Sequence, residues 1–126
     1  MAYQYYIYDL EGILCYKDIE LFSFCIKDRK LISYEIISDK YYPMDFYVKG
    51  ITYNSFNNFF KYRVVKDGAM WIREYLNAAG LKHYDFEELV KRNNGWNHLD
   101  FYWVKFDGLG ARNWEEIQTQ YYPIYK

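Results

Sequence analysis

Proline, cysteine and histidine are scarce in this chain, and each scarcity excludes something. The 126 residues hold two prolines (Pro43 and Pro123), two cysteines (Cys15 and Cys25) and two histidines (His83 and His98). Two cysteines are too few for the disulfide framework of a small secreted domain, so both are read as reduced thiols. A catalytic metal centre needs about three clustered ligands, and two histidines so far apart in sequence do not make one unaided. No charge of one sign dominates: 16 Lys and Arg stand against 17 Asp and Glu, for a formal net charge of -1. The chain therefore has no global field for gripping polyphosphate, nor the massed carboxylates that would imitate it. Long apolar runs are missing too, and the opening MAYQYYIYDLEGILCYKDIE has neither a basic start nor a small-residue cleavage site. A soluble, cytoplasmic protein is expected. With no Ser/Gly linker, low-complexity run or internal repeat, a single domain over 1–126 follows.

What the chain has in quantity is aromatic side chains: 17 Tyr, nine Phe and four Trp. Tyr and Trp are favoured at interfaces. A coding bias towards A and T would enrich Tyr and Phe together with Ile, Asn and Lys, so composition alone does not define an interface.

Periodicity divides the chain by element type. Ile19–Ile26 is a β-branched and aromatic run, and Leu31–Ile37 alternates Ile32, Tyr34 and Ile36 with Ser33 and Glu35. The linking KDRK suits a tight turn and hence a β-hairpin. The segment before it adds another strand or two, with Glu11 and Gly12 expected at a turn. From Ser55 the period becomes helical. Ser55 is the predicted N-cap of a helix with Phe56, Phe59 and Phe60 on one face. Asp67 is the predicted cap of a second, in which Ile72, Tyr75, Leu76 and Ala79 face inward and Gly80 ends the helix. Asp85 and Glu88 form a capping box before Phe86, Leu89 and Val90, and Gly95 stops this third helix. The tail from Trp96 looks extended or irregular, with one helical turn at NWEEI capped by Asn113. The expected fold class is α+β: a small antiparallel sheet or hairpins in the N-terminal half, about three short helices packed on one side of it, and a loop-rich aromatic C-terminal segment.

Sequence signatures of catalysis are absent. No G-x-S-x-G elbow or Walker loop occurs, and neither cysteine lies in a nucleophile motif. DGLGAR, 107–112, carries a G-x-G without the strand-to-helix setting that cradles phosphate, and reads as a turn. The acid pairs Glu87–Glu88 and Glu115–Glu116 sit at helix starts, where the dipole favours them. Lys61, Arg63, Lys66 and Arg73 form a basic cluster interleaved with Phe59, Phe60, Tyr62 and Trp71, a mixture that can meet phosphate and stack on bases. The same mixture also describes the solvated face of two helices whose aromatic partners point inward.

The order of segments carries a resemblance. SFNNFFKYRVVKDGAMWIREYLNAAGL, then ELVKRNNGWNHLDFYWVKF, then RNWEEI resembles the N-terminal region of bacterial HipA-related, kinase-like proteins. In that family L-N-x-W-W-x-x-R leads to R-D-G and an amphipathic helix, then to L-L-x-x-x-x-G-L-S-L-x-D-x-Y-W and to W-E-D-[IV]-N. Phe59 and Phe60 stand at the paired tryptophans and Arg63 at the arginine, while Lys66, Asp67 and Gly68 replace Arg-Asp-Gly. Gly95, Leu99, Asp100, Tyr102 and Trp103 match the next motif, from which Trp96, Asn97 and His98 depart. Trp114, Glu115, Glu116 and Ile117 match the last. LCYKDIELFSFCI is similar to the family's opening strand, and Pro43 falls near a proline that the family often carries. The stretch between Arg63 and Lys66 is shorter than the family's. Lys126 falls about where the kinase-like body would begin, and no glycine-rich ATP loop or metal-binding Asp motif is present. The resemblance therefore implies the accessory part of such a protein without phosphoryl transfer.

The leading expectation is a non-enzymatic protein-binding regulator without a cofactor. It would dock on a partner as an antitoxin does on a kinase-like toxin subunit, or as a phage or mobile-element inhibitor of the anti-CRISPR kind does on a host defence protein. Phe59, Phe60, Tyr62, Trp71 and Trp96 are the candidate contacts. Nucleic-acid binding through Lys61, Arg63, Lys66 and Arg73 is the second class. An enzyme using His98 or Asp100 is the third. The aromatic run Gly95–Phe106 is expected to be a wall of the core, with Tyr102 and Trp103 packed on helices and Asp100 holding backbone donors at its turn.

Overall fold

The computed structural model describes residues 5–64, 66, 68–97 and 99–121, the side chains of Gln120 and Tyr121 excepted. The predicted hairpin forms: β2, Ile19–Lys27, and β3, Lys30–Ile36, run antiparallel. Asp28 and Arg29 between them both take positive φ, 54° and 61°. Two left-handed residues give the turn a twist that matches the strands it joins. β1, Leu10–Tyr16, precedes them and pairs with β2.

Glu11 and Gly12 were expected at a turn, but both lie inside β1. The reason is a close approach rather than a bend. β4, Tyr102–Phe106, pairs with β1 so that Gly12 faces Phe106 and Leu14 faces Val104. A Cβ on Gly12 would meet Val104 Cγ1 at 2.8 Å and the Lys105 carbonyl oxygen at 2.9 Å. The four strands form one antiparallel sheet in the order β3-β2-β1-β4. The tail expected to be loop-rich thus supplies an edge strand.

Five helices are present among the described residues, against the three or so expected. The unexpected one, α1, Met44–Lys49, follows Pro43 and is closed by Gly50 at φ 79°. In α2, Tyr53–Lys61, the cap is Thr52, whose Oγ1 accepts from the Ser55 N–H at 3.1 Å. Ser55, the predicted cap, is buried in the first turn and donates its hydroxyl to the Gly50 carbonyl. Phe56, Phe59 and Phe60 share the buried face, as their spacing requires.

In α3, Ile72–Ala78, only Leu76 is buried; Tyr75 is exposed, contrary to the inward face predicted for it. Its predicted cap, Asp67, lies outside the described residues. Gly80 at φ 77° ends the helix, with the Leu81 N–H returning to the Leu76 carbonyl. In α4, Phe86–Arg92, Asp85 accepts from the Glu88 N–H at 3.1 Å and Gly95 closes at φ 60°, both as predicted. In α5, Trp114–Tyr121, Asn113 caps eight residues rather than a single turn.

Strand alternation separates two cores. On one face Leu14, Phe22, Phe24, Ile26 and Val104 meet Phe46 of α1, Phe56, Phe59 and Phe60 of α2, and Phe86 and Val90 of α4. On the other face Cys15 and Trp103 pack with Trp96, Ala111, Trp114 and Ile117. The class is α+β, but the helices do not lie on one side only: α5 covers the second face.

Candidate protein-docking surface

Three of the five candidate contact residues belong to the core. Phe60 is fully buried and Phe59 nearly so, their rings 5.2 Å apart and part of the first core. Trp96 is equally enclosed in the second. Helix α2 turns the two phenylalanines onto the sheet, while the sharp turn at Asn94 and Gly95, both with positive φ, tucks Trp96 beneath it. These residues are corrected from surface to core.

Arg63 is corrected as well. Its guanidinium lies 4.4 Å from the Phe59 ring centroid. It donates through Nε to the Gly95 carbonyl at 2.6 Å, through Nη1 and Nη2 to both Asp100 oxygens at 2.8 and 2.5 Å, and through Nη2 to the Tyr102 carbonyl at 3.0 Å. Four of the five N–H donors of this buried arginine are thus spent inside the protein, which takes it out of any phosphate-binding surface. Asp100 accepts the Arg63 fork and also the Tyr102 N–H, which is the backbone role expected of it. His98 lies outside the described residues.

Lys61 is half-buried, its ammonium 5.7 Å from the ring centroids of both Tyr5 and Tyr62. Lys66 and Arg73 are exposed. The proposed phosphate patch therefore shrinks to two outlying cations and one that leans on aromatic rings.

Tyr62 and Trp71 remain exposed, Trp71 at 57% of its surface, and the structure adds two neighbours that sequence reasoning missed. Met70, immediately before Trp71, is 97% exposed. Tyr75 lies one turn on, its ring 6.5 Å from that of Trp71. The i, i+4 spacing of Trp71 and Tyr75 was a signal for this shared face. It lost out because Tyr75 also fits the inward stripe of Ile72, Leu76 and Ala79. Trp71 and Tyr75, with the exposed Met70 next to Trp71 in sequence, make an apolar surface at the start of α3, and Arg73, two residues from each ring, lies off that face. Tyr62 stands apart at the end of α2, where its carbonyl accepts from Asn97 Nδ2.

The remaining surface offers less. An open hollow of about 380 Å³ on the second face of the sheet is lined by Glu11, Ser23, Cys25, Glu35, Lys105 and Arg112, among others. Lys105 is engaged with Glu20 at 2.7 Å and Arg112 with the Phe106 carbonyl at 2.5 Å. Cys15 lies deep beneath this face, and burial pushes its thiol up to about 12, far from a reactive thiolate. Among the described residues no three His, Cys, Asp or Glu side chains converge as metal ligands would. No helix among them is long and apolar enough to cross a membrane.

No family model, curated protein or solved structure matches this chain. The four-stranded antiparallel sheet with short helices defines an α+β protein, and its surface is read from its own geometry.

Proposed function

We propose that this chain is a non-enzymatic, protein-binding regulatory module that docks through the surface of Met70, Trp71 and Tyr75. One observation carries this reading: Met70 and Trp71, consecutive residues leading into a helix that buries a single residue, are both exposed to solvent. A large apolar side chain held out of a well-filled core is the raw material of an interface hot spot, and Trp and Tyr are the commonest anchors. The partner this face fits is a protein with an apolar pocket that takes the Trp71 indole. An antitoxin-like restraint of a kinase-like toxin subunit is consistent with the sequence resemblance, and so is an inhibitor of a host defence protein from a phage or mobile element.

Affinity capture from the native host with nuclease present, followed by titration of the purified partner, tests the reading. A stoichiometric protein partner is expected, its affinity falling about 30-fold or more in Trp71→Ala. The variant should keep the wild-type circular dichroism. A partner bound equally well by Trp71→Ala and Met70→Ala would overturn the surface assignment. Retention of nucleic acid alone, weakening steeply with salt, would transfer the function to Lys66 and Arg73.

A further inference from the structure

We infer that two copies of this chain pair through strand β3, forming a continuous eight-stranded antiparallel sheet about a two-fold axis at Tyr34. The inference is independent of the docking surface on α3.

Strand β3 lies at the edge of the sheet, and among the described residues no strand pairs with its outer side. Natural edges are usually blunted by proline, inward charges or a covering element. β3 has no proline; its one irregularity is a bulge that leaves Ile32 without a partner in β2, and the regular stretch beyond it, Ser33 to Ile36, carries Tyr34 and Ile36, 50% and 56% exposed. Ile36 pairs with Phe22 and Tyr34 with Phe24, so these side chains extend the apolar core face past its helical cover.

The backbone is set for a further strand. The Ile37 N–H points inward to the Leu21 carbonyl, at 2.8 Å. By the alternation of an antiparallel ladder, the N–H and C=O of Ile36 and Tyr34 then face the open side. A two-fold axis at Tyr34 lets the two Tyr34 residues exchange both backbone hydrogen bonds.

Side-chain chemistry selects this register. Centred on Tyr34, the pairing sets Tyr34 opposite Tyr34 and Ser33 opposite Glu35 of the second copy within the regular stretch of β3, and brings Ile36 against the bulged Ile32 at its end. Apolar groups then meet apolar groups, and each carboxylate meets a hydroxyl. Centring on Glu35 would oppose two carboxylates, and centring on Ser33 would set Leu31 against Glu35 and Lys30 against Ile36. The formal net charge of -1 adds almost no repulsion between copies.

Sedimentation equilibrium of the full chain up to about 100 μM, well within the saturation range of a specific interface, is the direct test. The expected result is twice the chain mass for wild type and a monomer for Tyr34→Lys, which opposes two ammonium groups across the axis. Because Tyr34 is half exposed, the variant should keep its circular dichroism. The register is read separately in a Cys25→Ser background, where Tyr34→Cys should cross-link two copies on oxidation and Glu35→Cys should not. A monomeric wild type, or a dimer that survives Tyr34→Lys unchanged, would overturn the inference.

Discussion

Arg63 carries more polar structure than any other side chain described here. Its fork ties the end of α2 to Gly95, Asp100 and Tyr102, and its own carbonyl accepts from Asn93 Nδ2 at 3.0 Å. Removing one partner of such a pair strands the other and two carbonyls besides, so Arg63→Ala should cost about 3 kcal/mol in a urea titration. Arg63→Lys should recover little of it, because an ammonium cannot span both Asp100 oxygens and the Tyr102 carbonyl. Cys15 gives the protein an alkaline signature. Burial raises its thiol from 9.0 to about 12, so the folded chain holds a proton that the unfolded chain releases. This contribution is fully present below pH 9.0 and is lost between pH 9.0 and about 12. The stability advantage of wild type over Cys15→Ala should therefore narrow by about 1.4 kcal/mol per pH unit within that window. Parallel urea titrations of the two proteins from pH 7 upward would show it, and a constant difference would mean that the thiol titrates normally.

Elements are joined here by close approach as much as by side-chain filling. β1 meets β4 at Gly12, where an added methyl would press on the Lys105 carbonyl oxygen, a backbone atom that cannot swing away. Gly12→Ala should thus cost about 1–3 kcal/mol, through overpacking rather than any loss of turn freedom, and should lower the thermal midpoint. Helix α2 offers the contrast with α3. Phe60→Ala empties a site ringed by Phe56 and Phe59 and should cost about 3–5 kcal/mol, often enough to unfold a domain of this size. Trp71→Ala, at the exposed start of α3, should change stability by less than about 1 kcal/mol while weakening partner binding about 30-fold or more. Measured side by side, the pair separates core aromatics from contact aromatics. The capping residues tell a similar story at lower cost. Thr52 took the role predicted for Ser55 because the Ser55 hydroxyl reaches the Gly50 carbonyl and Thr52 Oγ1 from inside the first turn.

At the scale of the whole molecule, stability is distributed unevenly. Strands β1 and β2 are buried between two aromatic cores, whereas α3 buries one residue, Leu76. Native-state hydrogen exchange should show α3 amides opening with the least free energy of any helix, and β1 and β2 amides exchanging only on global unfolding. Binding of a partner to Trp71 should slow exchange in α3 first. Sequence by itself determined whatever depends on neighbours a few residues apart. The β2–β3 hairpin, the Asp85 cap of α4, the glycine stops at Gly80 and Gly95, the shared face of Phe56, Phe59 and Phe60, and hence the α+β class were all legible, because local periodicity and turn chemistry set them. Tertiary structure decided what depends on distant partners. Gly12 looks like a turn residue until β4 arrives from ninety residues away, and Tyr102–Phe106 looks like a loop until β1 pairs with it. Which aromatics are contacts was likewise beyond local reading. Phe59, Phe60 and Trp96 share their chemistry with Tyr62 and Trp71, and only the packing of α2 and the Gly95 turn against the sheet separates buried from exposed. The free edge of β3 follows the same rule: alternation places Ile32, Tyr34 and Ile36 in a strand, but strand order leaves that strand last.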